Sequence, residues 1–306
     1  MHFLIYGAGA VGAYFGALLM RGGAAVTFVA RGGNLDALRT RGLTVRLPNE
    51  TWHLPTLSAV DDPRAAPRAD VVLIGVKSHD TPAAAAALQP ILHPDAILLS
   101  LQNGVENESV LAQALGLPPL LVALTFIGVE LTAPGEVTYT ARGEIIFGEP
   151  DGQITPRAER LAAALTAAAV PHKLRRDIQV MAWEKLAWNT AFNAVTTLTQ
   201  TSVAAALSNP HSRELIIRAI EEVDTVAVAQ GIPVRRHRIG TVLADSLSGL
   251  PDFPTSMLQD LRRGRRLEYD AITGAVLRAA ERVGVAVPLN RTLYALLARL
   301  DPGVVE

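Results

Sequence analysis

Phe3-Leu-Ile-Tyr6-Gly7-Ala-Gly9-Ala-Val-Gly12-Ala-Tyr-Phe-Gly-Ala-Leu-Leu-Met20 decides the fold of the first half of the chain. Its first four residues form an apolar run without polar alternation, the pattern of a strand buried on both faces. Val11–Met20 then reads as a helix, closed by Gly22-Gly23. Between them lies G-x-G-x-x-G, spelled Gly7, Ala8, Gly9, Ala10, Val11, Gly12. The first glycine permits a tight turn, the second lets a pyrophosphate approach the backbone, and the third lets helix and strand pack closely. The helix start offers unpaired N–H groups and a positive dipole end to phosphates. The motif alone is weak; in this strand–turn–helix setting it points to a dinucleotide.

Further short apolar runs follow at Val26–Ala30, Val71–Val76, Ile97–Leu101 and Leu121–Phe126, separated by helical patterns that include Ala83–Ala87 and Ala162–Ala169. Strands alternating with helices predict a Rossmann-type α/β domain, a doubly wound parallel sheet covered on both faces. After Thr125 the pattern changes, and Gly135–Tyr139 with Glu144–Phe147 reads as a hairpin around Arg142-Gly143. From about Met181 only helical periods follow, broken at Gly231, Gly249–Pro254 and Gly284–Pro288. The expected organisation is a dinucleotide-binding domain over 1–176 and an all-α domain over 177–306.

The nicotinamide cofactor is read from the end of the second strand, Phe28-Val-Ala-Arg31. An NAD site usually carries a carboxylate there for the ribose 2′-hydroxyl. Here none occurs before Asp36, and Arg31 has a fork that suits a 2′-phosphate. NADPH is favoured, against the alternative that Arg31 is a surface arginine. Lys77 and Asn103 each follow a predicted strand end, the edge where doubly wound sheets bind ligands. The competing readings are a solvated loop lysine and a plain Asn103-Gly104 turn.

At 306 residues and 32.5 kDa, with 49% apolar and 19% charged residues, the chain has the composition of a globular two-domain protein. A net charge of −1 provides no field for nucleic acid or an anionic membrane. The absence of cysteine excludes disulfides and thiolate metal sites, and the seven histidines, His237 among them, show no metal-ligand spacing. Phe3–Tyr6 is too short for a signal h-region or a membrane span, and a cytoplasmic protein is expected.

Twenty-five arginines stand against three lysines, Lys77, Lys173 and Lys185. GC-rich codon usage accounts for the scarcity but not for Lys185, which sits on the apolar helix Val180–Val195. Positions 185, 189, 193, 196 and 200 (Lys, Asn, Asn, Thr, Gln) fall on one helical face. Either that stripe faces solvent or it lines a polar site. Hydride delivery to a ketone carbon requires protonation of the oxygen. No histidine is suggestively placed, so a lysine is the natural general acid and alkoxide stabiliser.

Four segments together resemble the ketopantoate reductase (2-dehydropantoate 2-reductase) family over nearly the whole chain. They are Gly7–Gly12 with Arg31; Gln102-Asn103-Gly104; Trp183-Glu-Lys185-Leu-Ala with Asn189 and Asn193; and Thr255–Asp260 continuing to Glu268-Tyr-Asp-Ala-Ile-Thr-Gly274. The resemblance implies NADPH-dependent reduction of a 2-keto acid in pantothenate synthesis, with Lys185 as proton donor. Glu268 would hold the nicotinamide-side ribose or the lysine. Asn189, Asn193 and Ser256 would contact substrate, and Asn103 would contact substrate and cofactor. Taken alone, Ser256 reads as a helix cap with Gln259 completing a capping box, and Glu268 as a solvated helix residue near Arg262–Arg266. The family's further substrate asparagine has no counterpart in Thr199-Gln-Thr-Ser-Val203, leaving Gln200 or Thr201 in its place. Expected partners are the keto acid and, as an open alternative to a monomer, a second copy in a homodimer.

Overall fold

The computed structural model describes residues 1–235, 239–248, 252 and 254–303. His237 and most of the break read over Gly249–Pro254 lie outside these. By internal contacts the chain divides into two compact units: Met1–Gln102 with Asn107–Ile178, and Asn103–Glu106 with Gln179–Glu306.

The first unit runs β1 (His2–Tyr6), α1 (Ala10–Arg21), β2 (Ala25–Val29), α2 (Gly32–Arg41), β3 (Leu43–Arg46), β4 (Thr51–Leu54), β5 (Ser58–Val60), β6 (Val71–Ile74), α3 (Thr81–Leu88), β7 (Ile97–Ser100), α4 (Asn107–Leu115), β8 (Val122–Ala133), β9 (Glu136–Gly148), α5 (Pro156–Ala167) and β10 (His172–Leu174). Five strands form a wholly parallel sheet in the order β5-β2-β1-β6-β7. Successive side chains of a strand point to opposite faces. Phe3 and Ile5 accordingly enter a core with α1, Phe147 and Leu161, while Leu4 and Tyr6 enter another with Ala84, Leu88 and Leu111. Both faces are covered, as expected of a Rossmann-type sheet.

A second sheet, ordered β10-β9-β3-β4 with β8 against β9, departs from the expected pattern. The run Leu121–Phe126 is not a strand of the parallel sheet. Leu121 makes a single bridge to Leu99, and the chain then enters β8, antiparallel to β9. The hairpin turn is Pro134-Gly135, not Arg142-Gly143. Gly143 lies within β9 as a bulge: Phe126 pairs with Glu144 and Ile127 with Arg142, and Gly143 takes φ +116°. The far end of β9 is tied to α5, where Arg157 donates to Glu149 at 2.7 Å and Thr155 caps the helix.

The second unit is helical: α6 (Ile178–Trp188), α7 (Ala194–Thr199), α8 (Val203–Ser208), α9 (Pro210–Ala229), α10 (Ile239–Ser248), α11 (Ser256–Arg262), α12 (Ala275–Val283) and α13 (Pro288–Leu300). Its core gathers Leu186, Phe192, Ile216, Ile220, Ile272 and Leu293. Two wider π-type turns interrupt helical runs, Asn189–Asn193 between α6 and α7, and Asp270–Gly274 before α12. Among the described residues no helix is long and apolar enough to cross a membrane.

Candidate active site

The glycine loop is built by steric necessity at two of its three glycines. Gly7 takes φ +104°, and a Cβ there would lie 2.7 Å from the Val76 nitrogen. A Cβ at Gly12 would lie 2.1 Å from the Gly7 carbonyl oxygen. Gly9 differs: its φ of −71° suits any residue, and its Cβ would meet only the Gly75 oxygen, at 4.0 Å. Neither backbone nor packing requires glycine there, and its bare backbone leaves room for the close approach that a pyrophosphate needs. The α1 N-terminus has no side-chain cap and no acidic residue in its first turn, so its N–H groups suit phosphate. The fit to a dinucleotide pyrophosphate is good. Sequence reasoning missed the brace of this loop: Asn34 donates to the Ala8 carbonyl at 2.8 Å and accepts from the Gly135 amide at 2.8 Å.

Arg31 lies two residues past the end of β2 and is exposed. It lines a cleft of about 390 Å³ with Tyr6, Pro63, Ala86 and the ion pair Asp62–Arg64. Lys77 is half-buried at the start of a short turn after β6, its carbonyl accepting from Asp80 at 2.8 Å. A buried relay, also unforeseen, anchors the loops after β6 and β7. Gln102 donates to Thr81 at 2.8 Å, and Thr81 donates to Asn107 at 3.0 Å.

In the helical unit, Lys185 Nζ donates to Asn103 Oδ1 at 3.2 Å. Asn103-Gly104 lies in a bend with φ +104° at Gly104, and the side-chain contact is made from it. The middle of the polar stripe does not face solvent. Asn189 is 7% exposed, Asn193 1% and Thr196 0%. It is also not one straight face, because the π-type turn at 189–193 breaks the 3.6-residue period on which the spacing rested. Thr196 is used by the fold, bonding Thr255 at 2.8 Å, and Gln200 ends α7 exposed in the left-handed conformation. Thr201 bonds Thr199 at 2.8 Å. Neither amide atom of Asn193 has a hydrogen-bond partner among the described residues.

The α11 cap is Thr255, whose hydroxyl accepts from the Leu258 amide, and not Ser256. Gln259 donates to the Pro254 carbonyl, outside any capping box with Ser256. Ser256 is left exposed. Glu268 is 7% exposed and lies just ahead of the second π-type turn, so it is not a solvated residue like its arginine neighbours.

The family sequence model described as ketopantoate reductase PanE/ApbA matches residues 3–152, and the one for its C-terminal part matches residues 177–301. The chain belongs to the ketopantoate reductase family. It is 33% identical to a 2-dehydropantoate 2-reductase of Archaeoglobus fulgidus, over 98% of each chain. One from Halobacterium salinarum is also 33% identical, over 97% of this chain and 98% of the other. The crystal structure of 2-dehydropantoate 2-reductase from Geobacter metallireducens GS-15 superposes with a TM-score of 0.92 at 32% identity, covering 98% of this chain and 99% of that one. A ketopantoate reductase is an oxidoreductase.

Proposed function

We propose that this ketopantoate reductase relative uses NADPH to reduce 2-dehydropantoate to (R)-pantoate in pantothenate synthesis, with Lys185 as general acid. The observation that carries the reading is the 3.2 Å bond from Lys185 Nζ to Asn103 Oδ1, which holds an ammonium on a largely apolar helix. When bound, the nicotinamide supplies hydride to the keto carbon. Lys185 gives a proton to the carbonyl oxygen and regains one from solvent; its positive charge stabilises the alkoxide as it develops. Asn189, Asn193 and Ser256 hold the substrate, and Asn103 orients the lysine beside substrate and cofactor. Glu268, buried and acidic, holds the nicotinamide-side ribose or the lysine. Asn193 fits a ligand-facing role because a buried amide without partners costs about 1–3 kcal/mol per group, a cost that hydrogen bonds to a bound substrate would recover. Gly7–Gly12 and Lys77 take the cofactor's phosphate side, and Arg31 takes the 2′-phosphate.

A second reading rests on Thr199–Val203, which lacks the family's further asparagine: the same machinery would then reduce a different 2-keto acid. Steady-state oxidation of NADPH and NADH with ketopantoate and simpler 2-keto acids separates the two. Ketopantoate should lead in kcat/KM by about tenfold or more. A higher value for another keto acid selects the second reading, and no NADPH oxidation with any of them defeats both. Arg31→Ala should raise the NADPH KM roughly 10- to 100-fold, the worth of a charged hydrogen bond, and leave that of NADH unchanged.

A further inference from the structure

The segment Asn103–Glu106 groups with the helical unit although its sequence neighbours on both sides belong to the other. Two attachments hold it there. Val105 packs against the helical core, and Glu106 meets two cations one turn apart on α12. Arg278 Nε donates to Glu106 Oε2 at 2.9 Å, and Arg282 Nη1 lies 3.5 Å from Oε1.

Arg278 is itself held. Its Nη1 donates to Asp270 Oδ1 at 3.0 Å and its Nη2 to the Asp270 carbonyl at 2.8 Å. Tyr294 OH donates to the same Asp270 oxygen at 3.0 Å. Burial first, then this bond, pushes the tyrosine pKa up to about 12, so the hydroxyl stays a donor. Gly274 leaves the room: a Cβ there would stand 2.6 Å from Asp270 Oδ1 and 3.1 Å from Arg278 Nη1. The guanidinium is fixed by two acidic residues in a planar fork that a lysine could not reproduce.

Glu106 is three residues from Asn103, a span of at most about 10 Å of chain. From this geometry we infer that Arg278, seated on Asp270 and Tyr294, is a positioning residue: through Glu106 it fixes Asn103 against Lys185. The inference rests on Lys185 being the proton donor. It gives Asp270 and Gly274 of the Glu268–Gly274 motif a task that neither substrate nor cofactor contact supplies.

The test compares kcat and KM of the full-length enzyme with NADPH and its best keto acid in Arg278→Gln, Glu106→Gln, Asn103→Ala and Lys185→Ala, alone and combined. A misplacement of about 1 Å can cost roughly 100-fold. Arg278→Gln and Glu106→Gln should each lower kcat about 10- to 100-fold, with both KM values within about twofold of wild type. Added to Asn103→Ala, either should cost less than about twofold more, because the two act along one path. Full kcat in a folded Arg278→Gln or Glu106→Gln protein overturns the inference, and so does an effect that multiplies independently with Asn103→Ala. Should Arg278→Gln not fold, the near-isosteric Glu106→Gln decides by the same criteria. Normal turnover in Lys185→Ala defeats the underlying reading. An inactive Lys185→Ala beside unaffected Arg278→Gln and Glu106→Gln defeats the positioning role alone.

Discussion

Lys185 and Asn103, 82 residues apart in sequence, meet side chain to side chain at 3.2 Å. An amide oxygen can only accept here, so the contact orients an ammonium without neutralising it. A carboxylate in the same place would instead compete for the proton.

Lys185→Ala should therefore lower kcat by about 10²- to 10⁴-fold, the range for losing a general acid. Lys185→Arg should also be severely impaired, because it keeps the charge but has no proton to give at working pH. Comparable turnover in wild type and either variant would sink the assignment.

The glycines of the nucleotide loop should separate by substitution. Gly12→Ala puts a Cβ against the Gly7 carbonyl and should destabilise the fold by about 3 kcal/mol or more. Gly9→Ala meets no such obstacle and should unfold within about 1 kcal/mol of wild type. Its NADPH affinity, read by fluorescence titration, should nevertheless fall about tenfold or more. Unchanged NADPH binding in Gly9→Ala would contradict close approach of the cofactor at this residue.

Asn193→Leu should be neutral or stabilising in thermal unfolding, since it replaces a buried unpartnered amide with an apolar side chain of similar size. The same change should raise the keto-acid KM about tenfold or more. A marked loss of stability, or an unaltered KM, would remove Asn193 from the substrate site.

The tie between β9 and α5 should show in the acid limb of stability. Arg157 holds the Glu149 carboxyl below the ordinary glutamate value; burial opposes this and the Thr155 hydroxyl adds to it. A carboxyl whose folded pKa is depressed stabilises the protein fully above its unfolded pKa of about 4.3, and loses that contribution as pH falls through the folded value. Glu149→Gln should therefore lie about 2 kcal/mol below wild type at neutral pH, with the gap in Tm closing below about pH 4. A gap that is constant between neutral and acid pH would contradict the assignment.

What could be read from sequence followed from which residues carry their information locally. The strand–turn–helix at Phe3–Met20 was legible because its glycine spacing is local and Gly12 is demanded by the Gly7 carbonyl within the same motif, although the contact that demands Gly7, with Val76, lies far along the chain. The second sheet was not, because β3 and β4 are four residues each, and it is β3 that joins this short hairpin to β9, far along the chain. Gly135 and Gly143 look alike in sequence, and only pairing shows that one turns the chain and the other bulges it. Lys185 stood out by rarity, yet its meeting with Asn103 is long-range. Glu268 was hidden by its arginine neighbours, and Thr255 and Ser256 are both good caps, so neighbouring residues could not decide between them. Arg278 and Glu106 gave no signal, since an ion pair across 172 residues has no spacing to recognise.

The π-type turn at Asn189–Asn193 makes residue count matter as much as residue identity. Removing one residue from its middle would rewind it to an ordinary helical turn and swing everything after it by about 100°. Thr196 would leave Thr255, and α11 would lose the bond that steadies the cap beside Ser256. A substitution in this stretch acts at its own position, whereas a change of length rewrites the whole site. Homologues that look similar residue by residue yet differ by one position here should be expected to handle different substrates.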